Sequence, residues 1–248
     1  MKDYHINLRK AIDSAQKAQR NYDLSKSIPQ EDLDTLIYAA QNSPSKQNET
    51  HYQLHVFTDQ EIIQKIYHCT KRFCLFSKDD DYSKLFGEVD GVYWQSEERS
   101  LYNSQVLANA LFVYVKDDAN IRGCSHITGH SKDNPKSQRE FQRQQNYSIG
   151  ISSGQLVLVS ALMGLKTGMC SSFNKSIEPV IGVENKVQLL VGIGYEDIHK
   201  DRRIHPEILN RDVPDKFKNG KDTENWRFPS FDKECKVFLN GEQYNTDD

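Results

Sequence analysis

Residues Asn146–Asn174, NYSIGISSGQLVLVSALMGLKTGMCSSFN, decide how this chain folds. Lys166 is the only Asp, Glu, Lys or Arg among them. From Leu156 to Leu165 apolar residues fall on every side of a helical wheel, the pattern of a helix covered all round rather than one lying on a surface. Gly150, Ser152, Ser153, Gly154, Ser160, Ala161 and Gly164 are small and admit the close approach of another backbone. Gly164 is placed to end the helix, and Leu165–Ser172 then turns into a buried strand. A helix this apolar needs partners on all faces, yet only 37% of the chain is hydrophobic. The expectation is that a second copy of the chain supplies part of the cover.

The rest of the composition narrows the class. A chain of 248 residues suits one large domain with room for a substantial core. A net charge of −3 makes no electrostatic case for nucleic acid. No apolar run approaches the ~20 residues of a membrane-spanning helix, and Met1–Gln16 lacks the apolar core of a signal peptide. The five cysteines, Cys69, Cys74, Cys124, Cys170 and Cys235, are scattered and odd in number, as reduced thiols of a cytoplasmic protein are.

Outward from the central stretch, helical spacing of Ile6, Leu8, Ala11, Ile12, Ala15 and Ala18 predicts a helix over residues 5–22. That would leave Lys17 and Arg20 one turn apart at its C-terminal edge. Ser27–Asp32 starts a second helix, with acidic residues in its first turn, and Asn42-Ser43-Pro44 stops it. Gln53–Thr58 alternates as a strand, and Asp59 opens a short helix through Tyr67. Residues 70–105 carry Phe73, Phe76, Tyr82, Phe86, Tyr93 and Trp94 among many charges, with a helix expected over Gln95–Asn103. Ala110–Val115 and Val187–Ile193 are buried strands, residues 117–145 a polar excursion, and Lys236–Leu239 one further strand in the tail. Chain organisation is therefore a single domain over 1–248, with an excursion at about 70–140 and a C-terminal arm at about 204–248.

Several apparent motifs lack the context their chemistry needs. Gly150-Ile-Ser152-Ser-Gly154 fits the nucleophile elbow of a hydrolase, but polar, helix-like residues stand where the elbow requires a buried strand. Gly192-Ile-Gly194 ends a strand without opening a glycine-rich helix, so it is no dinucleotide fingerprint. Cys124, His126 and His130 lack a fourth ligand, and no metal is expected. What remains is a set of polar patches at element ends: Lys17 and Arg20, Ser43 to Asn48, Cys170 to Ser172, and Lys200 to Arg203. Such patches around a dry interface suit a flat, phosphorylated ligand.

Taken in order, these patches resemble the nitroreductase family of flavin-dependent enzymes, over residues 16–203. Gln16-Lys-Ala-Gln-Arg-Asn-Tyr22 stands where that family has Arg-Arg-Ser-x-Arg-x-Phe. Ser43-Pro-Ser-Lys-Gln-Asn48 with Thr50-His-Tyr52 matches Ser-Pro-Ser-x-x-Asn-x-Gln-Pro-Trp. Gly150–Phe173 is similar to the long central helix, its Gly-Leu turn and the strand leading to the flavin ring. Gly192–Tyr195 with Lys200 and Arg202 resembles the Gly-Tyr strand end and its basic phosphate contacts. Departures are Gln16 for arginine, Ala18 for serine, Thr50-His51 for Gln-Pro, and Ser172 at a position often held by glycine.

The resemblance implies an α+β, three-layer fold, a mostly antiparallel sheet flanked by helices, in an intertwined homodimer with FMN at the subunit seam. Lys17, Lys200 and Arg202 or Arg203 would hold the FMN phosphate. Arg20 would lie at the N1/O2 edge of the ring. The loop of Pro44, Ser45 and Asn48 would come from the other subunit, with Ser45 and Asn48 on the ribityl chain or phosphate. Backbone N–H groups at Ser171 and Ser172 would face N5. No side chain is assigned as catalytic acid or base, since the cofactor carries the chemistry. The implied activity passes hydride from NAD(P)H through FMN to an electron-poor small molecule, a nitroaromatic or quinone, with ping-pong kinetics. Two alternatives stand beside it: the same fold and flavin with dehalogenating or flavin-fragmenting chemistry, and a non-enzymatic dimer that has lost FMN.

Overall fold

The computed structural model describes residues 2–45, 48–71, 73–74, 86–89, 92–95, 100–117, 135–184, 186–203, 205–206, 237–239 and 242–244. Helices α1 (Lys2–Ala15) and α2 (Gln30–Gln41) open the chain, followed by strand β1 (Tyr52–Phe57) and helix α3 (Gln60–His68). Short strands β2 (Phe73–Cys74), β3 (Phe86–Val89), β4 (Val92–Gln95) and β5 (Ser100–Leu101) and a 3-10 turn at Ser104–Val106 lead to β6 (Ala110–Lys116). The long helix α4 (Pro135–Leu162) precedes β7 (Lys166–Cys170), the short α5 (Ile177–Ile181) and β8 (Val187–Gly194). A hairpin of β9 (Val237–Leu239) and β10 (Glu242–Tyr244) lies in the tail.

The main sheet runs β1-β6-β8-β7, with every neighbouring pair antiparallel. Because side chains alternate along a strand, β6 feeds two cores. Phe112 and Tyr114 pack with Leu36 of α2, Leu156 of α4 and Val191 of β8. Leu111, Val113 and Val115 pack with Ile63 and Ile66 of α3 and Ile177 of α5. A strand buried on both faces reads as an unbroken apolar run, as ALFVYV does.

Helix α4 crosses the first core, and its polar residues there have work to do. Ser152 Oγ donates to the Ala40 carbonyl at 2.7 Å and meets the Tyr114 hydroxyl at 3.0 Å. Gln155 Nε2 donates to the Ala39 carbonyl at 2.9 Å. These bonds satisfy carbonyls of the last turn of α2, which have no partner inside their own helix. Gly164 ends α4 with φ +80, the left-handed conformation a glycine cap supplies. The Gly150–Gly154 motif lies wholly inside α4, so it forms no elbow. Within one chain α4 is not covered all round: Tyr147, Ile151 and Leu162 stay 59%, 47% and 55% exposed.

Two sequence expectations are corrected. The first helix ends at Ala15 rather than near Tyr22. Its last turn tightens through Lys17 N–H to the Ser14 carbonyl (3.1 Å), and Gln19 N–H then bonds the Thr167 carbonyl of β7 at 2.8 Å, drawing the chain out straight. Lys17 and Arg20 are thus not one helical turn apart. The helix expected over Gln95–Asn103 is absent at its described residues, since Gln95 ends β4 and Ser100–Leu101 is β5. The strand expected over Lys236–Leu239 forms at Val237–Leu239 and pairs with Glu242–Tyr244.

Candidate functional site

The site residues fall into two groups on opposite edges of the main sheet. Residues 17–20 and 200–203 lie together beside β7, whereas Ser171 and Ser172 follow its far end at Cys170. The loop with Pro44, Ser45 and Asn48 leads into β1, the other edge strand. With β6 and β8 between them and a strand spacing of about 4.8 Å, the two edges are roughly 14 Å apart.

The β7 edge is closed by residues 18–23 running from β7 towards the end of β8. Beyond the Gln19–Thr167 bond, Tyr22 bridges Glu196, and Asp23 N–H bonds the Tyr195 carbonyl at 2.9 Å. Asn21 Nδ2 donates to the Asp201 carbonyl at 2.7 Å, and Asp197 N–H returns to the Asn21 carbonyl at 3.2 Å. Arg202 Nη1 donates to the Ala18 carbonyl at 3.1 Å. This lacing fastens the basic segment 200–203 beside residues 17–20. Gly168 makes room for it: a Cβ there would meet the Gln19 carbonyl and the Gln105 Cβ, each at 2.7 Å.

Arg20 is the electrostatic centre of this group. Burial, and then the neighbouring charge of Arg202, bring its guanidinium down to about 10, still far above neutral pH. Guanidiniums that feel each other's charge disfavour it, and a bound anion nearby relieves that cost. Gln105, assigned in the amide orientation that satisfies both its ends, accepts from Arg20 Nη2 at 3.1 Å and donates to the Met169 carbonyl. Sequence reasoning missed Gln105, which lies in a stretch without periodicity or motif. Lys166 was missed as a contact too: its Nζ reaches Ser14 Oγ at 3.0 Å and Glu196 at 3.6 Å.

The remaining cations differ in availability. Lys200 Nζ pairs with Asp197 at 2.7 Å and Arg203 Nε lies 3.6 Å from Asp201. Lys17 is exposed, just past the end of α1. At the end of β7, Ser171 and Ser172 are exposed. The Ser172 carbonyl accepts from the Lys71 N–H at 2.9 Å and from the Cys170 thiol at 3.4 Å. Burial pushes the Cys170 thiol up, which keeps it protonated and unreactive at neutral pH.

On the β1 edge, Asn48 has φ 57, a left-handed conformation that asparagine tolerates better than most residues. Its N–H bonds the Ser45 carbonyl at 3.2 Å, and Pro44 and Asn48 are exposed at the loop surface. Among the described residues no group of His, Cys, Asp and Glu is disposed to hold a metal ion, and none of the helices is long and apolar enough to cross a membrane. Cys124, His126 and His130 lie outside the described residues.

Comparison with known proteins adds a family. The model of the nitroreductase family matches residues 15–195. Among solved structures, one described as a candidate NAD(P)H:FMN oxidoreductase from Staphylococcus epidermidis is 19% identical, with TM-score 0.52 over 77% of this chain and 87% of its own. Nitroreductase A from Vibrio parahaemolyticus is 14% identical, with TM-score 0.52 over 83% of this chain and 76% of its own. A nitroreductase family protein from Clostridium novyi NT is 16% identical, with TM-score 0.50 over 79% and 89%. No curated protein matches the sequence. At these identities the structures establish a shared fold of helices and antiparallel sheet.

Proposed function

The chain belongs to the nitroreductase family, and from that premise we propose that it is an FMN-dependent oxidoreductase. The observation that carries this reading is the half-buried Arg20 beside β7, held by Gln105 and within electrostatic reach of Arg202, whose own guanidinium is tied to the Ala18 carbonyl. A phosphorylated, electron-accepting ring answers both the charge and the adjoining strand end. Bound FMN supplies the chemistry: hydride taken from NAD(P)H and passed to an electron-poor acceptor of nitroaromatic or quinone type, one reactant leaving before the next enters.

The chain's own residues bind and orient. Arg202 and Lys17 hold the phosphate, while Lys200 and Arg203, engaged with Asp197 and Asp201, contribute positive field or exchange partners on binding. Arg20, steadied by Gln105, places positive charge at the N1/O2 edge of the ring. The N–H groups of Ser171 and Ser172 would bind the ring at N5. Pro44, Ser45 and Asn48 close the site from a second subunit, because within one chain they lie across the sheet. The exposed stripe of Tyr147, Ile151 and Leu162 on α4 supports that homodimer, in which the layered, intertwined architecture and the C-terminal arm complete a single cytoplasmic domain.

Visible absorption of the purified protein tests the cofactor. A yellow protein, or one that gains flavin absorbance on addition of FMN and is then bleached by NAD(P)H, is expected. A colourless protein that takes up no FMN overturns the reading.

A further inference from the structure

Glu49, His51 and Ser148 form a buried polar cluster with no part in the contacts assigned above. His51 is fully buried, and Glu49 and Ser148 are only 5% and 2% exposed. His51 Nδ1 shares a hydrogen bond with Ser148 Oγ at 3.1 Å. Its Nε2 lies 3.3 Å from Glu49 Oε2, an ion-pair distance without hydrogen-bond alignment. The Phe141 ring packs edge-on against the imidazole with centroids 5.7 Å apart. The His51 carbonyl accepts from the Asp117 N–H at 3.1 Å, which ties the same residue to the end of β6.

The cluster sits at a particular junction. Glu49 and His51 immediately follow the left-handed Asn48, with exposed Thr50 between them. Ser148 lies on the face of α4 that, one and two turns later, carries Ser152 and Gln155 against α2. The near end of the loop is also held: Ser43 Oγ meets the Tyr52 hydroxyl at 3.3 Å, and that hydroxyl donates to the Ala40 carbonyl. Both ends of the loop are anchored while Pro44, Asn48 and Thr50 face outwards. Withdrawing a carboxyl group and an imidazole from water costs free energy unless each finds a partner. A cluster of this kind therefore specifies one geometry more than it adds stability. In the family pattern the His51 position holds proline, which stiffens the backbone directly. Here side chains from two elements do the stiffening.

We propose that Glu49, His51 and Ser148 are positioning residues that clamp the Pro44–Asn48 loop to the N-terminal half of α4, so that Ser45 and Asn48 stand ready for the cofactor. The role of the clamp rests on the FMN reading; its existence does not. One rigid part then serves both binding and assembly, since α4 carries the exposed apolar stripe as well as the clamp.

The test uses the full chain and two readouts, hydrogen exchange without FMN and the FMN dissociation constant by flavin fluorescence. Ser148→Ala is expected to speed exchange of the amides in residues 45–51 and to raise the FMN Kd, each by about tenfold, as for one lost buried hydrogen bond. Exchange in Ala110–Lys116 stays unchanged and shows that the fold is kept. Ser148→Thr, which keeps the hydroxyl, restores both values, and Glu49→Gln repeats the loss from the other end. Unaltered exchange in Ser148→Ala and Glu49→Gln overturns the clamp. Faster exchange with an FMN Kd within about twofold of wild type overturns its positioning role. A wild-type chain that binds no FMN at all overturns the cofactor reading and that role together, while exchange still decides whether the clamp exists.

Discussion

Arg20 shows how much one side chain depends on its surroundings. Its charge is withdrawn from water, set against Arg202 and steered by Gln105. Replacing it with glutamine removes a charged hydrogen-bond donor worth about 1.5–3 kcal/mol, so Arg20→Gln should weaken FMN binding on the order of 10–100-fold. Arg20→Lys should recover only part of this, because an ammonium cannot reproduce the planar fork that meets Gln105 and a ring edge together. Fluorescence titration of FMN checks both, and unchanged affinity in Arg20→Gln removes Arg20 from the site. Arg20 was singled out in the sequence because its spacing from Lys17 and Tyr22 follows a family motif. Gln105 was not: it is recruited by the path of β7, and no local pattern announces a partner 85 positions away.

At the scale of elements, the contact between β7 and residues 18–20 matters most. It exists because Gly168 has no side chain. Gly168→Ala would drive a methyl group into the Gln19 carbonyl and the Gln105 Cβ at 2.7 Å, and neither can rotate aside. The expected result is a lower melting temperature together with weakened FMN binding, read by thermal denaturation and fluorescence titration of the same protein. Wild-type values in both would mean that β7 and residues 18–20 separate easily. The strands were legible here because ALFVYV and VQLLVGI are unbroken apolar runs between turn signals. The end of the first helix was not. Helical spacing continues through Ala18, but the Gln19–Thr167 bond takes the chain away after Ala15. The Gln/Arg-rich start of α4 was legible as helix-like, but nothing in its polar residues marked where it begins, at Pro135.

The whole molecule is proposed to be a pair of subunits. Ile151, at mid-length of the exposed stripe on α4, is 47% exposed in a single chain. Ile151→Arg should give a monomer by sedimentation velocity, and on the proposal that Ser45 and Asn48 serve the partner's site, that monomer should also lose FMN. A wild-type protein that sediments as a monomer, or an Ile151→Arg monomer that keeps its flavin, would break the link between assembly and binding.

Composition and periodicity by themselves determined the helix at the centre and the strands of the sheet, and the order of motifs along residues 16–203 carried the resemblance to the family. These are local properties, written in the spacing of apolar and small residues. Tertiary structure alone decided which polar groups meet, Gln105 with Arg20 and His51 with Ser148, and set the two groups of candidate residues on opposite edges of one sheet. Such meetings depend on strand order and on where a chain leaves its helix, and both are settled by contacts between segments far apart in sequence.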